Sequence, residues 1–206
     1  NLYGSYAISS RKLKLDLGLR YEYQKDKLLH SDSNHNFRKH FSNLLPSLSF
    51  AYQCSNNMSM ELSYDMNVSR PNISVLDPYV DYTTPLQLTY GNTDLKPENT
   101  HTIDFTINQR IKRYTLITSL TYATTDRLIL NYQYTDKSIL HNTTGNIGKK
   151  NDLMLYNSLS GRLSRNVYAR LMQSISYVDY SAPKIDCKQH GWIYFVKGIM
   201  VGAVKG

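Results

Sequence analysis

From Lys12 to Gln24 apolar and polar residues alternate without a miss. Leu13, Leu15, Leu17, Leu19, Tyr21 and Tyr23 make one face, and Lys12, Lys14, Asp16, Gly18, Arg20, Glu22 and Gln24 the other. Only a β-strand sends successive side chains to opposite faces, so such a run is a strand with one face out of water. The pattern recurs at 48–53, 58–68, 102–108 and 128–135, and no segment shows helical periodicity of comparable strength. The chain is therefore expected to be all-β. The longest stretches without polar side chains, 192–196 and 198–204, fall far short of the ~20 residues of a membrane-crossing helix. An apolar content of 41% is too high for a disordered chain, and two cysteines cannot staple a disulfide scaffold or complete a four-thiolate zinc site.

The pattern yields eight strands, about 2–8, 12–25, 43–53, 58–68, 100–110, 113–135, 150–161 and 166–180, with a bulge near 124–127 in the sixth. Connections alternate between short (9–11, 54–57, 111–113, 161–166) and long (26–40, 69–98, 136–149, 181–190). Short turns thus share one end of an antiparallel meander and long loops the other. The chain opens on Asn1 inside a strand-like stretch and is expected to be a fragment that begins within a structural unit.

A soluble barrel or sandwich fits such a meander, with the apolar face inside. So does a transmembrane barrel, with the apolar face toward lipid and the polar face toward a wet lumen. Strand length favours the second: Leu13 to Tyr23 rises about 36 Å, enough to cross a ~25–30 Å apolar layer at a steep tilt. Tyrosine placement favours it too. Of 18 tyrosines, Tyr21, Tyr23, Tyr52, Tyr114, Tyr132 and Tyr134 fall near strand ends on the apolar face, as an aromatic girdle requires. Full charges on the other face (Lys14, Asp16, Arg20, Glu22, Glu61, Asp65, Asp104) suit either reading. Outer-membrane barrels keep short turns periplasmic and long loops extracellular, which places 54–57 in the periplasm and 69–98 outside.

The loop 69–98 carries the densest motif: Ser69, Arg70, Pro71, Leu76 and Pro78, then Gly91, Asn92, Leu95, Lys96, Pro97 and Glu98. Pro71 and Pro97 lack N–H donors and mark where ladder pairing stops and resumes. Gly91-Asn92 is expected to supply a positive-φ turn, and Glu98 to pair with Arg70 across the loop base. The middle of the loop holds Asp77, Tyr79, Asp81, Tyr82 and Tyr90, flat aromatic faces with hydrogen-bonding tips beside carboxylates, and is the candidate ligand-contacting segment.

This run, with 45–52 and 60–68 before it, resembles the C-terminal barrel of TonB-dependent outer-membrane receptors of the outer-membrane β-barrel group; the likeness spans about 12–180 and is specific over 44–110. It implies a receptor in the Gram-negative outer membrane that imports a scarce ligand. Such a receptor has a 22-stranded barrel and an N-terminal plug, through which TonB supplies energy. Its partners would be outer-membrane lipid, lipopolysaccharide and an unidentified small ligand, with no cofactor and no chemical reaction. The alternatives are a self-contained eight-stranded outer-membrane barrel (adhesin, anchor or enzyme) and a soluble β-sandwich binding module.

Other signals are weak. His30, His35 and His40 share neither a helix nor a strand face, and a solvated loop is the expectation rather than a metal site. Gly145–Lys150 is too short for a phosphate-binding loop, and Asp77 with Asp81 is too sparse for calcium. The charge of +8 is dispersed, against nucleic-acid binding, although Arg38 and Lys39 could meet lipopolysaccharide phosphates. Cys54 and Cys187 are expected at opposite ends of the strands and so not bonded. Residues 181–206 break the alternation and are set apart from the partial barrel, 1–180, as an atypical tail.

Overall fold

The computed structural model describes residues 1–28 and 37–202, apart from the side chains of Leu28 and Phe37. His30 and His35 lie outside the described residues. Nine long strands form one antiparallel meander: β1 (Leu2–Ser9), β2 (Leu13–Leu28), β3 (Phe37–Ser55), β4 (Met58–Ser69), β7 (Glu98–Ile111), β8 (Tyr114–Asp136), β9 (Ile139–Arg162), β10 (Val167–Ala182) and β11 (Cys187–Gly202). Two short strands, β5 (Val80–Asp81) and β6 (Gln87–Tyr90), lie between β4 and β7. β1 and β11 are opposite edges of the sheet. It neither closes on itself, as a self-contained eight-stranded barrel does, nor divides into the two layers of a sandwich.

The register sorts the alternation into two faces. Leu17 stands opposite Leu48, Leu48 opposite Tyr64, and Leu62 between Phe50 and Phe105. The intervening positions carry Asp16 opposite Ser49, Glu61 opposite Thr106 and Asp104 opposite Thr121. Leu17, Leu62, Phe105, Leu120 and Leu155 are all exposed on the first face, where hydrocarbon is the solvent. On the second, neighbours satisfy one another, as Thr106 Oγ1 does with Ser119 Oγ at 2.6 Å.

Three departures from the sequence reading concern two long connections and the tail. The expected loop 136–149 is strand, and β8 and β9 meet in a two-residue turn at Lys137 and Ser138, both at positive φ (45° and 66°). On its β9 half, 139–149, polar residues fall on both faces, so no alternation marks that half as strand. Gly145 and Gly148 lie where the β8 side chains Tyr132 and Leu130 leave no room for a Cβ (3.0 and 2.7 Å). The expected loop 181–190 shrinks to a 3-10 turn, Pro183–Ile185, with Asp186 in the left-handed region. The tail contains β11, paired with β10 from Cys187 to Gly202. It reads as non-alternating because Trp192 and Tyr194 face one way and Ile193 and Phe195 the other. The bulge expected near 124–127 is present: the β8–β9 register slips between Thr125 and Leu128, with Arg127 at φ 59°.

Further corrections follow. Tyr132 and Tyr134 lie beyond the bulge, above the apolar band. The rim of the band instead adds Tyr64, Tyr122, Tyr177 and Trp192, on one outer-face row across the sheet. Lys39 turns to the inner face, where its ammonium donates to the Thr93 carbonyl, which removes it from lipopolysaccharide. His40 belongs to β3 and stacks on Tyr23 at 6.2 Å. Cys54 lies at the short-turn end and Cys187 at the opposite end, both as free thiols.

Candidate functional site

Between β4 and β7 the chain does not loop freely. It folds across the inner face as a strap, residues 70–97. Leu76 and Leu95, 0% and 1% exposed, join Phe41 of β3 in a small apolar core backed by Val75 and Ile129. Apolar side chains gather here because the strap has water on one side and the wall on the other, the usual two-layer condition for a core.

Each motif residue has a partner that explains its chemistry. The Arg70 guanidinium pairs with the Glu22 carboxylate of β2, not with Glu98. Glu22 lies 48 residues earlier in the chain but shares the inner face. Glu98 Oε1 instead accepts from the Ile129 N–H at 2.7 Å, capping a donor that the β8 bulge frees from the ladder. Asn72 Oδ1 accepts from the Ser74 N–H at 3.3 Å and caps the 3-10 turn Ile73–Leu76. Gly91 does not have positive φ. It is required because a Cβ there would lie 2.5 Å from the Asp77 carbonyl oxygen and 2.6 Å from that of Val75. The Gly91 and Asn92 N–H groups donate to those two carbonyls (3.1 and 2.8 Å), closing the strap on itself. Asn92 Nδ2 then donates to the Thr144 carbonyl at 2.9 Å, and Asn146 of β9 bonds both the N–H and the carbonyl of Lys96 (2.7 and 2.8 Å). Ser69 ends β4, and Pro71 and Pro97 flank the strap where no ladder donor is needed.

The candidate ligand contacts occupy the β5–β6 hairpin of the strap. Val80 pairs with Tyr90 and Asp81 with Thr89, and β6 then adds in parallel to the β9 edge, Gln87–Thr89 against Leu140–Asn142. Asp77 Oδ1 accepts from the Tyr79 N–H at 3.0 Å and Asp81 Oδ1 from the Thr83 N–H at 2.9 Å, so both carboxylates serve turns. The Thr83 N–H and hydroxyl hold the Asp81 carboxyl below the usual aspartate range. Tyr79 and Tyr82 are exposed.

Tyr90 alone of the five reaches a groove, of about 660 Å³, between the strap and the β8–β9 hairpin. Its hydroxyl meets the Tyr134 hydroxyl at 2.7 Å and His141 Nδ1 at 3.3 Å. Burial, reinforced by the Tyr134 hydrogen bond, pushes its pKa up to about 12. Thr89, Asn131, Tyr132, Gln133, Asn142, Thr143, Thr144 and Ile185 complete the lining, and at its edge the Lys184 ammonium donates to the Tyr132 hydroxyl at 3.0 Å and lies 4.5 Å from its ring centre. The buried Asn142 Oδ1 and Thr143 Oγ1 have no hydrogen-bond partner among the described residues. The groove thus offers aromatic faces and neutral amide and hydroxyl groups, with the Lys184 ammonium beside Tyr132. The sequence analysis missed Asn142 and Thr143 because it placed 136–149 in a loop, and Asn131 and Gln133 because, without that β9 partner, nothing gathered them into a groove; the available signal was the alternation continuing to 135. Among the described residues no three His, Cys, Asp or Glu side chains converge as a metal site would.

One open meander with a lipid-facing exterior, a polar interior and an inward strap defines a segment of an outer-membrane barrel wall. The chain belongs to the outer membrane protein beta-barrel family, whose profile matches residues 1–198. No curated protein matches it by sequence. In fold it is similar to the copper transporter OprC (12% identity, TM-score 0.62, 86% of this chain and 32% of that one). It is similar also to the FrpB iron transporter from Neisseria meningitidis, F3-3 variant (13%, 0.60, 90% and 31%), and to the siderophore receptor PirA from Pseudomonas aeruginosa (14%, 0.55, 96% and 48%). It spans a third to a half of the length of these proteins. Its place is the Gram-negative outer membrane, in the wall of a β-barrel.

Proposed function

We propose that this chain is part of the wall of a receptor that binds a scarce solute at its extracellular mouth and imports it, with TonB acting through a plug carried elsewhere in the protein. The observation that carries the reading is the strap. Some thirty residues are fastened across the inner face and present a tyrosine-lined groove beside the β8–β9 hairpin. A passive connection needs neither that length nor that anchoring. The open edges support a larger barrel, because unpaired strand edges cannot stand in hydrocarbon. The proteins of similar fold are transporters and receptors, in keeping with binding rather than catalysis. Residues 77–90, with Tyr90 at the groove, are the proposed contact segment, and lipopolysaccharide the proposed neighbour of Arg38.

The test is solute uptake by cells making the full-length protein, with labelled copper, ferric siderophore, haem and oligosaccharide as probes. One probe should enter only when TonB is present, and deleting residues 79–89 should abolish that entry while the barrel stays heat-resistant in detergent. Entry without TonB, or unchanged by the deletion, would contradict the reading.

A further inference from the structure

The lipid face is not uniformly apolar. Its rows on β8 to β11 run Leu116–Leu159–Leu171–Gly198 and, toward the extracellular end, Leu120–Leu155–Ile175–Tyr194. Between them lies Thr118–Asn157–Gln173–Val196, where three of four positions are polar. Thr118 Oγ1 donates to Asn157 Oδ1 at 2.9 Å, which leaves the Asn157 amide and the exposed Gln173 carboxamide without a partner among the described residues.

These groups lie four, five and six residues in from the strand ends Tyr114, Arg162 and Val167. At a strand tilt near 40° that is ~10–15 Å above the periplasmic boundary, inside a layer ~25 Å tall. Asn and Gln are too short to snorkel to either interface. Neither water nor acyl chains can satisfy a carboxamide at that depth, so a partner must supply the complementary groups.

We infer that the outer face of β8 to β11 docks a second copy of the same protein within the bilayer, with Asn157 and Gln173 pairing across a two-fold axis normal to the membrane. Such an axis keeps every residue at its own depth, so each carboxamide, donor and acceptor at once, meets the same pair of groups on the other subunit. An unrelated partner would have to carry a polar patch at the same depth. The shape agrees. Just below the polar row is an apolar hollow of about 370 Å³, floored by Gly161, Ala169 and Gly198 and walled by Tyr114, Leu171 and Met200. A Cβ on Gly198 would meet nothing within 4 Å, so the hollow is open to an approaching surface. Small residues beside hydrogen-bonding ones are how surfaces associate in lipid, where apolar contact alone gives no advantage over lipid. This inference does not depend on what the receptor imports.

The experiment co-expresses two differently tagged full-length copies in the outer membrane. A photo-crosslinking benzoylphenylalanine replaces Leu171 beside the polar row, or Leu62 on the far part of the wall. The Leu171 site should yield a species of twice the mass carrying both tags, and the Leu62 site none. Replacing both carboxamides, Asn157→Leu with Gln173→Leu, makes the face more apolar and should leave the barrel heat-modifiable, yet lower co-capture of the second tag at least tenfold. That is about 1.4 kcal/mol, the scale of a hydrogen bond in a membrane. Absence of a doubled species, a Leu171 adduct of any other protein, or co-capture undiminished in the double variant would overturn the inference.

Discussion

The wall and the strap obey opposite rules with the same residue types. In the wall, leucines such as Leu17, Leu120 and Leu155 are exposed, because the apolar side of the strand is its solvated side once the solvent is hydrocarbon. In the strap, Leu76 and Leu95 are sealed, because water returns at the barrel mouth. The wall is held by backbone ladders between neighbours in the chain. The strap is held by side chains that reach distant strands: Arg70 to Glu22, Asn92 to the Thr144 carbonyl, Glu98 to the Ile129 N–H. Damage to one region should therefore not spread to the other.

Truncating the strap core is expected to have the largest effect. Leu76→Ala should cost ~2–5 kcal/mol of strap stability. Hydrogen exchange should rise at the amides of Gly91 and Asn92, while the heat-modifiable mobility of the full-length barrel is unchanged. A barrel that melts early with this substitution would merge the two regions.

A charge on the wall should do the reverse. Leu17→Lys should cost ~2–4 kcal/mol near the bilayer centre, lowering barrel stability in urea titrations with strap exchange untouched. Asp16→Lys, on the wet face, should cost little. If the Asp16 variant is the more damaging, the face assignment is wrong.

The link between the regions comes next. Arg70→Ala should release the start of the strap from β2 at ~1–3 kcal/mol, since it leaves the half-buried Glu22 carboxylate with Arg20, its neighbour on β2, as its one remaining ion-pair partner among the described residues. Glu22→Ala should have a similar effect, and the double variant should cost much less than the sum of the two. Additive losses would show that the pair does not fasten the strap.

The smallest effect concerns pH. Asp81 titrates below the ordinary aspartate value in the folded strap, so its contribution is complete above ~4 and is lost only as pH falls through the lowered value. The β5–β6 turn should exchange at the same opening level from pH 5 to 8 and loosen in stronger acid, and Asp81→Asn should abolish that acid dependence.

What the sequence revealed follows the same division. Strands inside the bilayer were legible nearly to the residue: β2, β4, β7 and the bulged β8 came from alternation alone, because lipid on one side and water on the other impose a period of two. The β9 extension, 139–149, was not legible, since above the membrane both faces meet water. Its turn carries Lys-Ser rather than a glycine pair, so turn chemistry gave no warning. The strap was visible as a motif but not as a structure. Nothing local to Arg70 indicates that Glu22, 48 residues earlier, shares its face, and Gly91 reads as a turn residue when its constraint is two carbonyl oxygens. The groove was half seen: Tyr90 was among the candidates and Tyr134 stood on an expected strand, but the β9 partners His141, Asn142 and Thr143 sat in the segment expected as a loop.

The central claim is that alternation sorts lipid from lumen. Nitroxide labels placed singly at positions 13 to 21 of β2, in the full-length protein in outer-membrane vesicles, test it most directly. Oxygen accessibility should peak at 13, 15, 17 and 19, and accessibility to a water-soluble nickel chelate at 14, 16, 18 and 20. Both reagents peaking at the same positions, or neither showing a two-residue period, would contradict the account.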